Sequence, residues 1–260
     1  MKIKVLKFGG TSVGSIEAIK RSADIIHDWS KKSKVIAVLS AMSGETDRLI
    51  NLTKSFSKNP NPIDFDNAIS SGENVSCALM SICLNNQKIK AKSLLSWQIP
   101  IITSSEHMKS RILSINKKFL YDELENFEVL LIPGFKGINN KGELTTLGRG
   151  GSDTSAVAVA AAMETECIIY TDVEGVFTTD PNIVPKAKKI NKISYEEMLE
   201  LASQGAKVLQ TRSVELAMRK NTKLSVRSSL QPKKNGTVIT DEKSLLAVSY
   251  THLRAHETIA

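Results

Sequence analysis

Six short runs rich in apolar and β-branched residues, at 3–8, 34–39, 90–96, 128–132, 167–171 and 223–227, alternate with longer stretches of helical periodicity. The helical patterns lie near 15–28, 45–57, 65–85, 107–125, 152–164, 194–203 and 210–219. This alternation constrains the fold more than any other feature, because neighbouring parallel strands need a crossover and a helix commonly supplies it. "VIAVLS" at 35–40 and "VLLIP" at 129–133 are apolar without alternation, as strands covered on both faces must be. The expectation is an α/β fold around a mainly parallel sheet. One segment breaks the rhythm: "GFKGINNKGELTTLGRGGSD", 134–153, offers Asn139-Asn140-Lys141-Gly142 as a hairpin turn between two short extended pieces.

A chain of 260 residues suits one large α/β domain or two small ones. The longest apolar run, 156–163, falls far short of the roughly 20 residues that span a bilayer. "MKIKVLKFGG" lacks the apolar core and cleavage site of a signal peptide, so a cytoplasmic location and no membrane partner are expected. Cys77, Cys83 and Cys167 are odd in number and not spaced for ligation, and the four histidines do not cluster with them. They read as buried free thiols, and no metal site is expected. The net charge of +8 is scattered, and aromatics make up only 5%, so no nucleic-acid partner is expected. Some of that charge can steer anionic ligands towards a cleft.

Several motifs sit where strands end. In "KFGGTSVGS", 7–15, Lys7 is followed by Gly9 and Gly10 and by a predicted helix start. Bare backbone, a helix N-terminus and a full charge at a strand end form a phosphate site, although the loop is not a Walker A sequence. "VLSAMSGETDRL", 38–49, repeats the arrangement with Ser40 and Thr46, and helix capping alone also explains Thr46. Glu73 lies in "SSGENVS", within or at the end of a helical pattern. "TTLGRGGSDTSAVAVAAAM", 145–163, holds Arg149 between glycines, then Ser152 and Asp153, then a small-apolar run. It reads as a phosphate cradle, a grip on a substrate carboxylate, or a capped helix start. "IIYTDVEGVFTTDPNIVP", 168–185, ends a buried strand in Thr171 and Asp172 and continues into a polar loop that can hold a nucleoside. In "SQGAKVLQTRSVELAMR", Gly205 and Lys207 offer a further phosphate contact. Two anion sites with separate lysines and a carboxylate-gripping arginine describe phosphoryl transfer from ATP to a small acidic acceptor.

"KFGGTSV", "TTLGRGGSDTSA", "YTDVEGVFTTDP" and "GAKVLQ", in this order, resemble the aspartokinases of the amino acid kinase family over roughly residues 1–240. The resemblance implies a three-layer α/β/α sandwich of carbamate kinase-like fold. It also implies transfer of the ATP γ-phosphoryl group, with Mg²⁺, to L-aspartate, giving 4-phospho-L-aspartate at the start of lysine, threonine, methionine and diaminopimelate synthesis. Carried over by motif, Lys7 and Asp153 are catalytic, Asp153 as an organiser of Lys7 or of the metal shell. Ser40, Thr46, Glu73, Arg149, Gly151 and Ser152 line the aspartate pocket, with Glu73 on the substrate ammonium. Lys7, Phe8, Gly9, Gly10, Thr171, Asp172, Phe177, Asp180 and Lys207 surround the nucleotide. Three positions depart from the family pattern: Phe177 where tyrosine is common, Asn182 where arginine is common, and Gln210 where histidine is usual. Aspartokinases continue into paired ACT regulatory domains and form homodimers at full length. Residues 241–260 read as the lead-in to such a region followed by a truncated or foreign tail, "YTHLRAHETIA". Competing readings are a glutamate, carbamate or nucleotide monophosphate kinase, and a silent ATP- or amino-acid-binding module.

Overall fold

A computed structural model describes residues 1–94, 96–181, 183–203 and 208–242. Asn182, Gly205, Lys207 and the 243–260 tail, all singled out above, lie outside the described residues. The chain opens with β1 (Ile3–Phe8), a 3₁₀ turn (Gly10–Val13), α1 (Ile16–Ser30) and β2 (Lys34–Leu39). Three helices follow, α2 (Glu45–Phe56), α3 (Pro62–Ile69) and α4 (Ser71–Asn86), then the short strands β3 (Ala91–Ser93), β4 (Ile101–Thr103) and β5 (Ile112–Ile115). Next come α5 (Lys117–Asn126), β6 (Val129–Pro133), β7 (Lys136–Ile138), β8 (Leu144–Thr146), α6 (Gly151–Ala162) and β9 (Cys167–Thr171). The described part closes with β10 (Lys192–Ser194), α7 (Tyr195–Ser203), α8 (Thr211–Lys220), β11 (Leu224–Ser228) and β12 (Thr237–Thr240).

The large sheet has the order β10-β12-β11-β9-β1-β2-β6-β3. From β11 to β3 all neighbours are parallel, whereas β12 runs antiparallel to β11 and carries β10 with it. Strand side chains alternate between faces, and the two main cores follow that alternation. Val5, Val38, Ile132 and Ile169 pack with residues of α5, α6, α7 and α8. Leu6, Phe8, Leu39, Leu131 and Tyr170 pack with residues of α1 and α4. The result is the expected three-layer sandwich. Helix α6 is apolar nearly all round, with every residue from Asp153 to Ala160 buried, because it lies against the sheet and α8 at once. Of the thiols, Cys77 and Cys167 are buried and Cys83 is half-buried; all three are free. Among the described residues no helix is long and apolar enough to cross a membrane.

A second sheet, β5-β4-β7-β8, contains the expected hairpin. Asn139 N–H donates to Glu143 O at 2.9 Å and Gly142 takes φ 78° at the turn. Two helical expectations are corrected. The pattern at 107–125 becomes β5 followed by α5, because Asn116 caps the helix through its side chain on Phe119 N–H and stops it there. The 65–85 pattern is two helices, broken at Ser70, with α3 opened by Asn61 and Pro62. The small sheet requires Gly137: a Cβ there would lie 2.6 Å from Ile101 O and 2.5 Å from Thr103 Cγ2. Gly137→Ala is therefore expected to cost about 1–3 kcal/mol, read as a lower urea midpoint at unchanged slope.

Candidate active site

The carboxyl ends of β1, β2, β6 and β9 form one edge, where open parallel sheets bind ligands. Alternation along β1 sends Phe8 into the α1/α4 core and Lys7 to the opposite face, towards α6. There Lys7 Nζ meets Asp153 Oδ1 at 2.6 Å. Both are nearly buried, at 9% and 8% exposure, yet each retains a surface at the cleft. Asp153 stands in the first turn of α6, which has an αL Gly150 as its N-cap and no side-chain cap. A Cβ on Gly150 would come 2.2 Å from Gln210 Cγ, so the loop before α8 seats directly on this helix start.

The neighbouring loops converge. Gly9 lies beside Lys7 Nζ and Gly10 against the backbone of Ala41 and Ser43. Ser40 N–H donates to Phe8 O at 3.1 Å, and Gly134, after β6, packs on Ser152. The glycines lead into a 3₁₀ turn, and the α-helix expected near 15–28 follows from Ile16, with Ser15 as its cap. The ring of Phe8 is fully buried and stacked on Tyr170 at 5.1 Å, which leaves only its main chain towards the glycine loop.

Glu73 sits in the first turn of α4, 2% exposed. Its Oε1 accepts from Ala41 N–H at 3.3 Å, and its Oε2 is buried without a hydrogen-bond partner. Opposite it, from β7, comes Lys136, which is fully buried. Burial pushes the Glu73 carboxyl up to about 7, while the Lys136 charge pulls it back. Burial likewise lowers Lys136 to about 8, against the opposing pull of Glu73. Ser40 borders the same place, its carbonyl accepting from Ser76 Oγ at 2.7 Å, and Thr46 lies half-buried in the first turn of α2.

Arg149 is exposed and lines a cavity of about 590 Å³ with Lys109, Gln210, Arg212 and Gly148. Lys7 and Asp153 are not on that lining. The 145–149 segment is held from below by Asp66, a fully buried acid on the apolar face of α3 that it shares with Phe65 and Ile69. Its carboxylate accepts from Thr146 Oγ1 at 2.6 Å, Thr146 N–H at 3.0 Å, Met108 N–H at 3.0 Å and His107 Nδ1 at 2.9 Å. Arg212 Nη1 donates to Leu147 O at 2.7 Å. The sequence reading missed Asp66, Lys136, Lys109 and Arg212. An acid on a helix's apolar face and a lysine inside "GFKGI" were the available signals.

At the carboxyl end of β9, Thr171 Oγ1 donates to Asp172 Oδ1 at 3.1 Å, and Ser229 N–H donates to Thr171 O at 2.7 Å. Phe177 is half-buried and bridges Lys189, and Asp180 is exposed. Among the described residues no group of three His, Cys, Asp or Glu side chains could hold a metal. Asp153, held by Lys7, and Asp172, exposed just after β9, are carboxylates at this edge.

Asp66→Ala leaves four donors without their acceptor, the two of Thr146 buried and those of Met108 and His107 part-buried, each costing about 1–3 kcal/mol when buried and unsatisfied. The variant is expected to lose about 3 kcal/mol or more in denaturant unfolding, and Asp66→Asn, which keeps an acceptor oxygen, less.

The profile of the amino acid kinase family matches residues 2–228. Over 247 residues the chain is 48% identical to the aspartokinase of Rickettsia felis, covering 93% of this chain and 62% of that protein. It is also 48% identical to the aspartokinase of Geobacillus stearothermophilus, over 94% of this chain and 60% of that one. The structure of E. coli aspartokinase III in complex with aspartate and ADP superposes with a TM-score of 0.81 at 28% identity, covering 93% of this chain and 65% of that chain. The chain thus spans roughly 60% of the length of the curated relatives it matches. A profile match over most of its length, on a parallel sheet with a paired lysine and acid at its carboxyl edge, establishes that this chain belongs to the amino acid kinase family.

Proposed function

We propose that residues 1–240 are the catalytic domain of an aspartokinase, moving the γ-phosphoryl group of ATP to the β-carboxylate of L-aspartate. The observation that carries this reading is the Lys7–Asp153 pair at 2.6 Å, set where a glycine loop and a helix start meet, in a chain 48% identical to aspartokinases. Phosphoryl transfer needs in-line positioning and charge stabilisation more than covalent help. Lys7 neutralises charge on the transferring group, and Asp153 holds that ammonium in place from α6. An aspartate carboxylate is already ionised and needs no general base. Arg149 grips a substrate carboxylate, Glu73 Oε2 takes the substrate ammonium, and Ser40, Thr46, Gly151 and Ser152 complete the pocket. Gly9, Gly10 and the Phe8 main chain face the phosphates. Thr171, Asp172, Phe177, Asp180 and Lys207 surround the rest of the nucleotide. Mg²⁺ bound to the phosphates supplies further charge neutralisation. The protein acts in the cytoplasm and, at full length, as a homodimer.

Trapping the acyl phosphate with hydroxylamine tests the assignment, with aspartate, glutamate or no acceptor beside Mg-ATP. Hydroxamate is expected with aspartate, and Lys7→Ala is expected to lower its rate about 10²–10³-fold, as for loss of one transition-state charge partner. Equal product from glutamate would reassign the acceptor. Folded protein that makes no hydroxamate with any acceptor would remove the assignment.

A further inference from the structure

Lys136 is a primary amine with no exposed surface in a chain whose other lysines lie mostly outside the core. A buried ammonium is costly unless it is hydrogen-bonded and balanced by charge. The residue before it, Phe135, has φ 70°, a strained conformation for a bulky L-residue. From there Lys136 reaches the junction of α3 and α4. Its Nζ donates to Ser70 O at 2.6 Å and to Asn74 Oδ1 at 2.7 Å. Ser70 ends α3 and precedes α4, whose first turn has no side-chain cap. Glu73 lies between these two partners in that turn, with its Oε2 buried and unpartnered.

Among the described residues, the other charged groups on the neighbouring elements are engaged elsewhere or exposed. On α4 the nearby thiol of Cys77 is pushed far up by burial and stays neutral. On α2, Glu45 is engaged by both ends of Arg48. On α3, Asp64 is exposed and Asp66 is taken by His107, Met108 and Thr146. Asp24 of α1 lies at the far end of α4, bonded by Gln87 and acting on Cys83. Lys34 of β2 is bound to Phe127 O, and Lys92 of β3 to Glu123. Lys136 and Glu73 act on each other, the charge of each favouring the ionised form of its neighbour.

We propose that Lys136 is a positioning residue of the acceptor pocket, fixing the first turn of α4 and keeping Glu73 ionised so that Oε2 receives the acceptor's ammonium group. This rests on the assignment of Glu73 to the acceptor amine made above. The role belongs to affinity for the acceptor and not to the chemical step.

The test is steady-state hydroxamate kinetics across about pH 5.5–9 for wild type, Lys136→Met and Asn74→Ala, each checked for cooperative unfolding. A protonated Glu73 cannot balance an ammonium, so the wild-type KM for aspartate is expected to climb as pH falls through about 7. In Lys136→Met burial acts on Glu73 against only the backbone hydrogen bonds of Ala41 and of Glu73 itself. The climb then begins about one pH unit higher, and KM for aspartate at neutral pH rises about tenfold, with kcat and KM for ATP within about twofold. Asn74→Ala keeps the charge but loosens its seat, so KM for aspartate rises without a shift in the pH midpoint. A Lys136→Met protein with wild-type KM and pH profile overturns the proposal. So does a wild-type KM that stays flat through neutrality, which decides the matter even if Lys136→Met does not fold. Wild type that yields no aspartate-dependent product at any pH removes the aspartokinase assignment instead, and this proposal falls with it.

Discussion

Lys7 and Phe8 point to opposite faces of one buried strand, and that alternation sets where the chemistry of this chain can lie. Phe8 fills the core beneath α1 and α4, stacked on Tyr170. Lys7 is thereby turned towards α6, where Asp153 waits in the first helical turn. A strand covered on both faces leaves a charged side chain only its carboxyl end, where the covering layers part. The glycines that follow keep that opening clear, and the loop after β2 closes against them through Ser40 N–H on Phe8 O. The small residues of α6 matter for the same reason. A bulkier helix would stand off the sheet and carry Asp153 away from Lys7.

Two buried charges fasten the small sheet to the helices beside the cleft, and they work in opposite directions. Asp66 reaches from α3 to the Met108 loop and β8, gathering four donors. Lys136 reaches from β7 back to the end of α3 and the start of α4. Neither arrangement is a strong source of net stability, since desolvation offsets much of what such contacts contribute. What they supply is register. A satisfied buried polar group tolerates few alternative placements, so the segment carrying Arg149 and the turn carrying Glu73 are each held in one position.

Much of the scaffold was legible because it rests on local rules. The bounds of β1, β2 and β9 follow directly from apolar runs ended by glycine or polar residues. The hairpin follows from Asn139 to Gly142, and five of the helices, α1, α2, α6, α7 and α8, from their periodicity. The failures have physical causes too. At 107–125 an apolar pattern compatible with a helix was stopped by the Asn116 cap, and the residues before it paired with β4. Short strands such as β4, β10 and β12 hold too few residues for a period to show. That the ring of Phe8 belongs to the core follows from strand alternation, which a motif alone does not display.

By itself the sequence determined the parallel sandwich, the clustering of glycine loops at strand ends and the family, because these depend on patterns a few residues long. Tertiary structure alone decided which charges meet. Asp153 is far from Lys7 along the chain, and Lys136 is far from Glu73. Nothing local distinguishes a lysine bound for solvent from one that will be closed under two helices. Only packing brings such groups within reach, and only burial gives their charges enough weight to position one another.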